Sequence, residues 1–187
     1  MCTLPEPRRL PGDLAMWFFI LAELSVFAIL ILAFAVTQVL RPEVFAEGRA
    51  QLDTSTGLAM TLSLLTAGLL AALALQQVRL QRWRRGAGLF VAALLVALVY
   101  VAIKLTEYAH LGAAGLGMEH STFFTLYWIL TGFHFLHVLL GMVILAWLAL
   151  GCWRGGLSVG GLESGVLYWH MVDLVWVVLF PLVYVIG

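Results

Sequence analysis

Eight side chains of this sequence carry polar chemistry into stretches dominated by apolar residues: Glu23, Lys104, Glu107, His134, His137, Glu163, His170 and Asp173. Six of them form pairs three residues apart, Lys104 with Glu107, His134 with His137, and His170 with Asp173, a spacing that puts both members on one face of a helix. Imidazoles and carboxylates are the ligands of haem and metal sites inside helix bundles, and inside a membrane they also form proton relays. The pattern argues against a metal. A di-iron carboxylate bundle repeats Glu-x-x-His on two helices, and a bis-histidine haem needs its ligands on facing helices around a cavity. Neither arrangement is met. The residues read instead as hydrogen bonded across helices, each contact contributing about 0.6–2 kcal/mol in a membrane. On this reading the chain holds no catalytic residue, no metal site and no cofactor site.

The apolar surroundings set the demand on these groups. An ionisable side chain at the centre of a bilayer costs about 2.5–3.5 kcal/mol on insertion scales, so each must face protein and find a partner. Glu23 lies about nine residues into the first apolar block, roughly 13–15 Å deep at helical rise, close to the midplane. His134, His137, His170 and Asp173 are expected to share that inner-to-middle depth with Glu23 as one buried polar layer. Lys104 and Glu107 are expected nearer the opposite surface as a local ion pair, with Lys104 snorkelling outward.

The elements that must position these groups follow from composition. The 187 residues are 63% hydrophobic and only 11% charged, with formal net charge zero and a mean hydropathy of +1.04. A soluble domain is nearer half apolar and a quarter charged. The balanced charge, with no basic arm, excludes nucleic acid as a partner. Apolar blocks long enough to cross about 30 Å of hydrocarbon occupy 14–40, 57–78, 87–109, 121–151 and 163–186. An all-α integral membrane bundle of five transmembrane helices is expected, as one membrane domain over 1–187. Leu10-Pro11-Gly12-Asp13 forms a turn whose acid can cap the first helix. Because five spans alternate sides, Arg8, Arg9, Arg79, Arg82, Arg84, Arg85 and Arg154 fall on one side, and Arg41 and Arg49 on the other. Seven arginines against two place the N-terminus in the cytoplasm and the C-terminus outside. Cys2 and Cys152 then share the reducing side, so no disulfide is expected. Trp17, Trp128, Trp153 and Tyr168 fall near span ends as interfacial anchors, and Gly132 and Gly141 beside the histidines let helices approach closely.

Four motifs turn these anonymous spans into a resemblance. Ser121-Thr-Phe-Phe with Thr131-Gly-Phe-His134-Phe-Leu-His137-Val and Gly141, and Tyr168-Trp-His170-Met-Val-Asp173-Leu-Val-Trp176 preceded by Glu163, resemble segments of cytochrome c oxidase subunit III. Thr106-Glu107-Tyr108 is similar to that family's third-span acid motif, and Phe19-Ile-Leu-Ala-Glu23-Leu-Ser-Val-Phe27 to the segment carrying its carbodiimide-reactive glutamate. Their order and spacing cover nearly the whole chain from Trp17.

The resemblance implies a non-catalytic accessory subunit in respiratory electron transport, multi-pass in a bacterial inner membrane. Its partner would be the haem-copper catalytic subunit, which holds the haem and copper, or haem and non-haem iron. Membrane lipids would be the other partner, with bound phospholipid. The family is linked to assembly, to stability during turnover and to proton uptake by the partner. The short five-span form lacks the first two helices of the seven-helix mitochondrial subunit. Its Pro11-Gly12-Asp13-Leu-Ala-Met-Trp17 opening is similar to the nitric-oxide-reductase accessory branch called NorE, with five-helix quinol oxidase subunits as close competitors. Two other classes stay open from the residues alone: a stand-alone proton-coupled carrier built on the Glu23 layer, and a haem-binding membrane electron carrier.

Overall fold

A computed structural model describes residues 14–155 and 157–186. Arg8, Arg9, Cys2 and the Leu10–Asp13 turn lie outside the described residues. Among the described residues six α-helices follow one another: α1 Leu14–Leu40, α2 Pro42–Arg49, α3 Thr54–Arg79, α4 Trp83–Ala113, α5 Thr122–Arg154 and α6 Val159–Phe180, the last continued by a π-helical turn, Pro181–Val185. No strand occurs among the described residues. Among the described residues five helices, α1, α3, α4, α5 and α6 with its π turn, are long and apolar enough to cross a membrane. The protein is a multi-pass membrane protein of all-helical class. Below, the end of the bundle where α1 begins is called proximal, and the end where α1 finishes distal.

Local chemistry sets the helix ends. Asp53 caps α3, its two carboxylate oxygens accepting from the Ser55 and Thr56 backbone N–H groups at 3.1 and 3.2 Å. Ser121 and Ser158 cap α5 and α6 in the same way. Gly155 ends α5 at φ 68°, the left-handed conformation favoured at a helix C-terminus. The segment 41–55, read from sequence as a polar connection, contains the short helix α2. Pro42 sits in its first turn with Glu43, and Arg49 in its last, an arrangement that suits both the fixed proline φ and the helix dipole.

Helices α3, α4, α5 and α6 close into a ring, each packed on two neighbours, and α1 lies outside it against α5 and α6. Helices α3 and α4, which pack on one another, bury several small residues: Ala67, Ala71 and Ala74 on one helix, Ala87, Ala93 and Ala97 on the other. Without a hydrophobic driving force between helices in lipid, such small residues permit the close van der Waals contact that holds spans together. Helix α1 exposes Phe18, Leu21, Ile29, Leu32 and Val36, an apolar face suited to hydrocarbon. The distal end is stitched by the segment after α6: Gln38 Nε2 donates to Ile186 O, Arg49 Nε to Val183 O, and Thr54 Oγ1 to Tyr184 O.

Candidate functional site

Lys104 is fully buried, at 0% exposure, on the face of α4 turned to the interior of the ring. Its Nζ donates to Glu107 Oε2 at 2.7 Å and to the hydroxyls of Tyr127 and Tyr184 at 3.0 Å each. An ammonium has three protons to place, and all three are placed. The rings of Tyr108, Tyr127, Trp176 and Tyr184 surround the cation, their centroids 4.8–5.7 Å from Nζ. Tyr184 also donates to the Glu107 carboxylate. The π turn brings it there: Pro181 has no N–H to continue the α-helical ladder, and the wider turn carries Tyr184 to the pair with 3% exposure. The expectation that Lys104 snorkels to the surface is corrected. Aromatic residues from two other elements roof the ammonium, and its carboxylate partner lies one turn along its own helix. A distal cavity of about 500 Å³, walled by Leu52, Asp53 and Thr56 on one side and Ile103 and Thr106 on the other, reaches Glu107.

One turn deeper, His134 is fully buried. Its Nε2 lies 3.1 Å from Val172 O and its Nδ1 3.3 Å from the Tyr100 hydroxyl. A carbonyl only accepts, so Nε2 carries the proton, and Nδ1 then accepts from Tyr100; this tautomer is assigned by the network. Both ring nitrogens are used, and neither is open to a metal. Trp176, packed 5.0 Å from the His134 ring, donates its indole N–H to Thr61 on α3.

His137 differs. Its Nδ1 lies 2.8 Å from Phe133 O, so that nitrogen donates, while its Nε2 lies 3.0 Å from Glu23 Oε2 on α1. One proton occupies the line between imidazole and carboxylate. Placed on nitrogen it makes an ion pair, and placed on oxygen it makes a neutral pair with the same geometry. The side chains are 11% and 22% exposed at the open side of the α1–α5 contact, and Phe27 covers the imidazole edge at 5.1 Å.

His170 and Asp173 pair within α6, Nδ1 to Oδ2 at 3.2 Å. They pack on Gly68 of α3, where a Cβ would run into the Asp173 carboxylate and lie 3.4 Å from the His170 ring. At the proximal end Glu163 binds Arg79, 2.7 Å between Nη2 and Oε1.

The expected single layer of Glu23, His134, His137, His170 and Asp173 is therefore divided. His137 joins Glu23, His134 joins Tyr100 and a backbone carbonyl, and His170 joins Asp173 on the face toward α3. Residues three apart share a face broadly, yet the turn between them points each at a different neighbour. No group of three His, Cys, Asp or Glu side chains that could hold a metal ion occurs among the described residues. Of the small residues, Gly141 faces the Trp169 ring, where a Cβ would lie at 2.9 Å, whereas Gly132 faces open space. Tyr168 is buried at 1% exposure and donates to His137 O, so it is a core residue and not an interfacial anchor. Gly68, Tyr100, Tyr127 and Tyr184 were not singled out by sequence. Small or aromatic residues in apolar spans look like ordinary packing until the partner helix is known.

Residues 12–187 match the family described as Cytochrome c oxidase subunit III. The chain is 30% identical over 181 residues to the "Heme-copper oxidase subunit I+III" of Aeropyrum pernix, covering 92% of this chain and 22% of that longer protein. It is also 30% identical over 182 residues to the "Probable quinol oxidase subunit 3" of Staphylococcus aureus, covering 94% of this chain and 89% of the relative.

Proposed function

This chain belongs to the cytochrome c oxidase subunit III family, and from that premise we propose that it is the accessory subunit that binds the haem-copper catalytic subunit of a respiratory oxidase in a bacterial inner membrane. The observation that carries this reading is the end-to-end similarity to the quinol oxidase subunit of Staphylococcus aureus. The haem and copper belong to the partner. A haem-binding electron carrier is disfavoured by His134, both of whose nitrogens are already engaged. The relatives are named for oxidases, which favours oxygen over nitric oxide as the substrate of the complex and the oxidase branch over the NorE branch.

Within that role we assign Glu23 and His137 to proton exchange at the surface offered to the partner. The support is geometric: the imidazole and carboxylate lie within hydrogen-bonding distance, 3.0 Å, and both side chains are partly exposed. We assign phospholipid to the groove of about 260 Å³ between α1 and α6, walled by Leu24, Phe27, Ile31, Leu174 and Val178, whose apolar walls suit an acyl chain. The proximal end is assigned to the cytoplasm on its arginines.

Mild-detergent purification through a tag on this chain tests the reading. A haem-copper subunit should copurify, the haem spectrum should follow that subunit, and the complex should consume oxygen. A chain that purifies alone, where other respiratory complexes stay intact, would leave a stand-alone carrier as the better reading. Nitric oxide consumption without oxygen consumption would restore the NorE branch.

A further inference from the structure

The proximal end holds more positive charge than its fold consumes. Arg79, Arg82, Arg84, Arg85 and Arg154 face a single acid, Glu163, among the described residues there, and Glu163 is bound to Arg79. The distal end is the reverse, with Arg41 and Arg49 against Glu43, Glu47, Asp53 and Glu119. Among the described residues, Arg82, Arg84 and Arg85 have no acidic partner, and all three are exposed.

The turn that presents them is unusual. Helix α3 ends as Gln81 N–H bonds Val78 O at 2.8 Å and Arg82 N–H bonds Gln77 O at 2.9 Å, the double bond of a Schellman turn. Gln81 takes φ 61° there, and no other described non-glycine residue has positive φ. Glycine is the favoured residue for that conformation. What glutamine supplies is its side chain: Oε1 accepts from the Trp83 indole N–H at 3.2 Å. That bond fixes the polar edge of a ring whose body packs partly against the core.

The geometry points to a binding site for the phosphate of an anionic membrane lipid in the depression of about 430 Å³ walled by Gln81, Arg82, Trp83, Arg84 and Arg85. Guanidinium forks match phosphate oxygens two at a time. The turn joins two membrane-crossing helices directly, so its charges lie at headgroup depth. The fixed indole and the neighbouring Leu80, 56% exposed, are residues that settle at that interface, and they favour a headgroup carrying acyl chains over a free anion. The site is at the opposite end of the bundle from the Lys104 cluster, and it is independent of any catalytic partner.

Native mass spectrometry of the purified protein, with whatever subunits accompany it, tests the site. The probes are dioleoylphosphatidylglycerol, dioleoylphosphatidylcholine and inorganic phosphate. The glycerol lipid should be retained over the choline lipid by about fivefold for each guanidinium engaged, and Arg82→Gln/Arg84→Gln/Arg85→Gln should remove that preference. Gln81→Gly, which suits the left-handed backbone, should keep or raise the thermal midpoint while weakening retention of the glycerol lipid. Working with solubilised protein separates lipid binding from any change of membrane orientation in the triple variant. Equal retention of the two lipids overturns the proposal. So does displacement of the glycerol lipid by an equal concentration of inorganic phosphate, which marks a free-anion site. A triple variant that keeps its lipid but loses a copurifying protein assigns the arginines to a protein contact instead.

Discussion

Lys104→Met is the sharpest test of the buried pair. The substitution keeps length and volume but removes the ammonium, leaving Glu107 at 9% side-chain exposure without its cation. Breaking a buried ion pair from one side costs about 3–5 kcal/mol, because the surviving charge is uncompensated. Two features set where in that range each single variant falls. After Lys104→Met, Glu107 keeps one strong donor, the Tyr184 hydroxyl. After Glu107→Gln, Lys104 keeps two hydroxyl acceptors, four aromatic faces and the amide oxygen of the new glutamine. Lys104→Met should therefore be the more damaging, toward about 5 kcal/mol, and Glu107→Gln the milder, about 3 kcal/mol. The double variant should recover part of the loss, with a coupling energy of about 1–3 kcal/mol. Reversible unfolding by sodium dodecyl sulfate in mixed micelles, followed by helical circular dichroism, measures all three. A Lys104→Met protein within about 0.5 kcal/mol of wild type, the scatter of an ordinary surface substitution, would refute the reasoning. Losses in the double variant equal to the sum of the singles would show that the two charges do not need each other.

The shared proton at Glu23 predicts different outcomes for two substitutions: Glu23→Gln keeps a hydrogen bond to His137 but cannot titrate, whereas Glu23→Leu loses both. Altered proton uptake or turnover stability with Gln supports the protonic role, and wild-type behaviour with Gln but failed assembly with Leu makes Glu23 structural. For topology, a cysteine at Ala114 should react with an impermeant thiol reagent in intact cells and one at Gln81 should not; the opposite pattern overturns the orientation. At the distal surface, hydrogen bonds from the hydroxyls and backbone N–H groups of Ser55 and Thr56 hold the Asp53 carboxyl down at about 2. Because its folded value lies below the unfolded value of about 3.9, its ionised form stabilises the fold above that pH, and the contribution disappears as pH falls through about 2. The difference in thermal midpoint between wild type and Asp53→Asn, which still caps the helix, should shrink over that window, and a difference constant with pH would show that the charge is irrelevant.

The number, order and type of the membrane helices were legible because each is a long apolar block and the hydrocarbon thickness sets its length. Helix α2 was legible in principle from Pro42, Glu43 and Arg49, yet its polar character made it look like a connection. The surroundings of Lys104 were not legible. Nothing in one strand of sequence says that Tyr127, Trp176 and Tyr184 converge on a residue of α4, and the π turn that turns Tyr184 inward depends on Pro181 in a helix already packed. Glu23 and His137, 114 positions apart in sequence, illustrate the intermediate case. Each was visible as a polar group needing a partner, but the choice among His134, His137 and His170 rests on which side of the ring α1 docks.

The distance along the chain between Lys104 and Tyr184, 80 residues, has a meaning in time as well as in space. At about 5–20 residues per second, synthesis reaches Tyr184 roughly 4–16 s after Lys104. Helix α4 must therefore enter the bilayer while most of its aromatic roof does not yet exist. Glu107 is made almost at once, one turn away on the same helix, and a lysine bonded to it can cross the insertion machinery as a neutral unit. The two tyrosine hydroxyls then serve a different moment. They seal an ion pair whose two members were already neighbours on one helix.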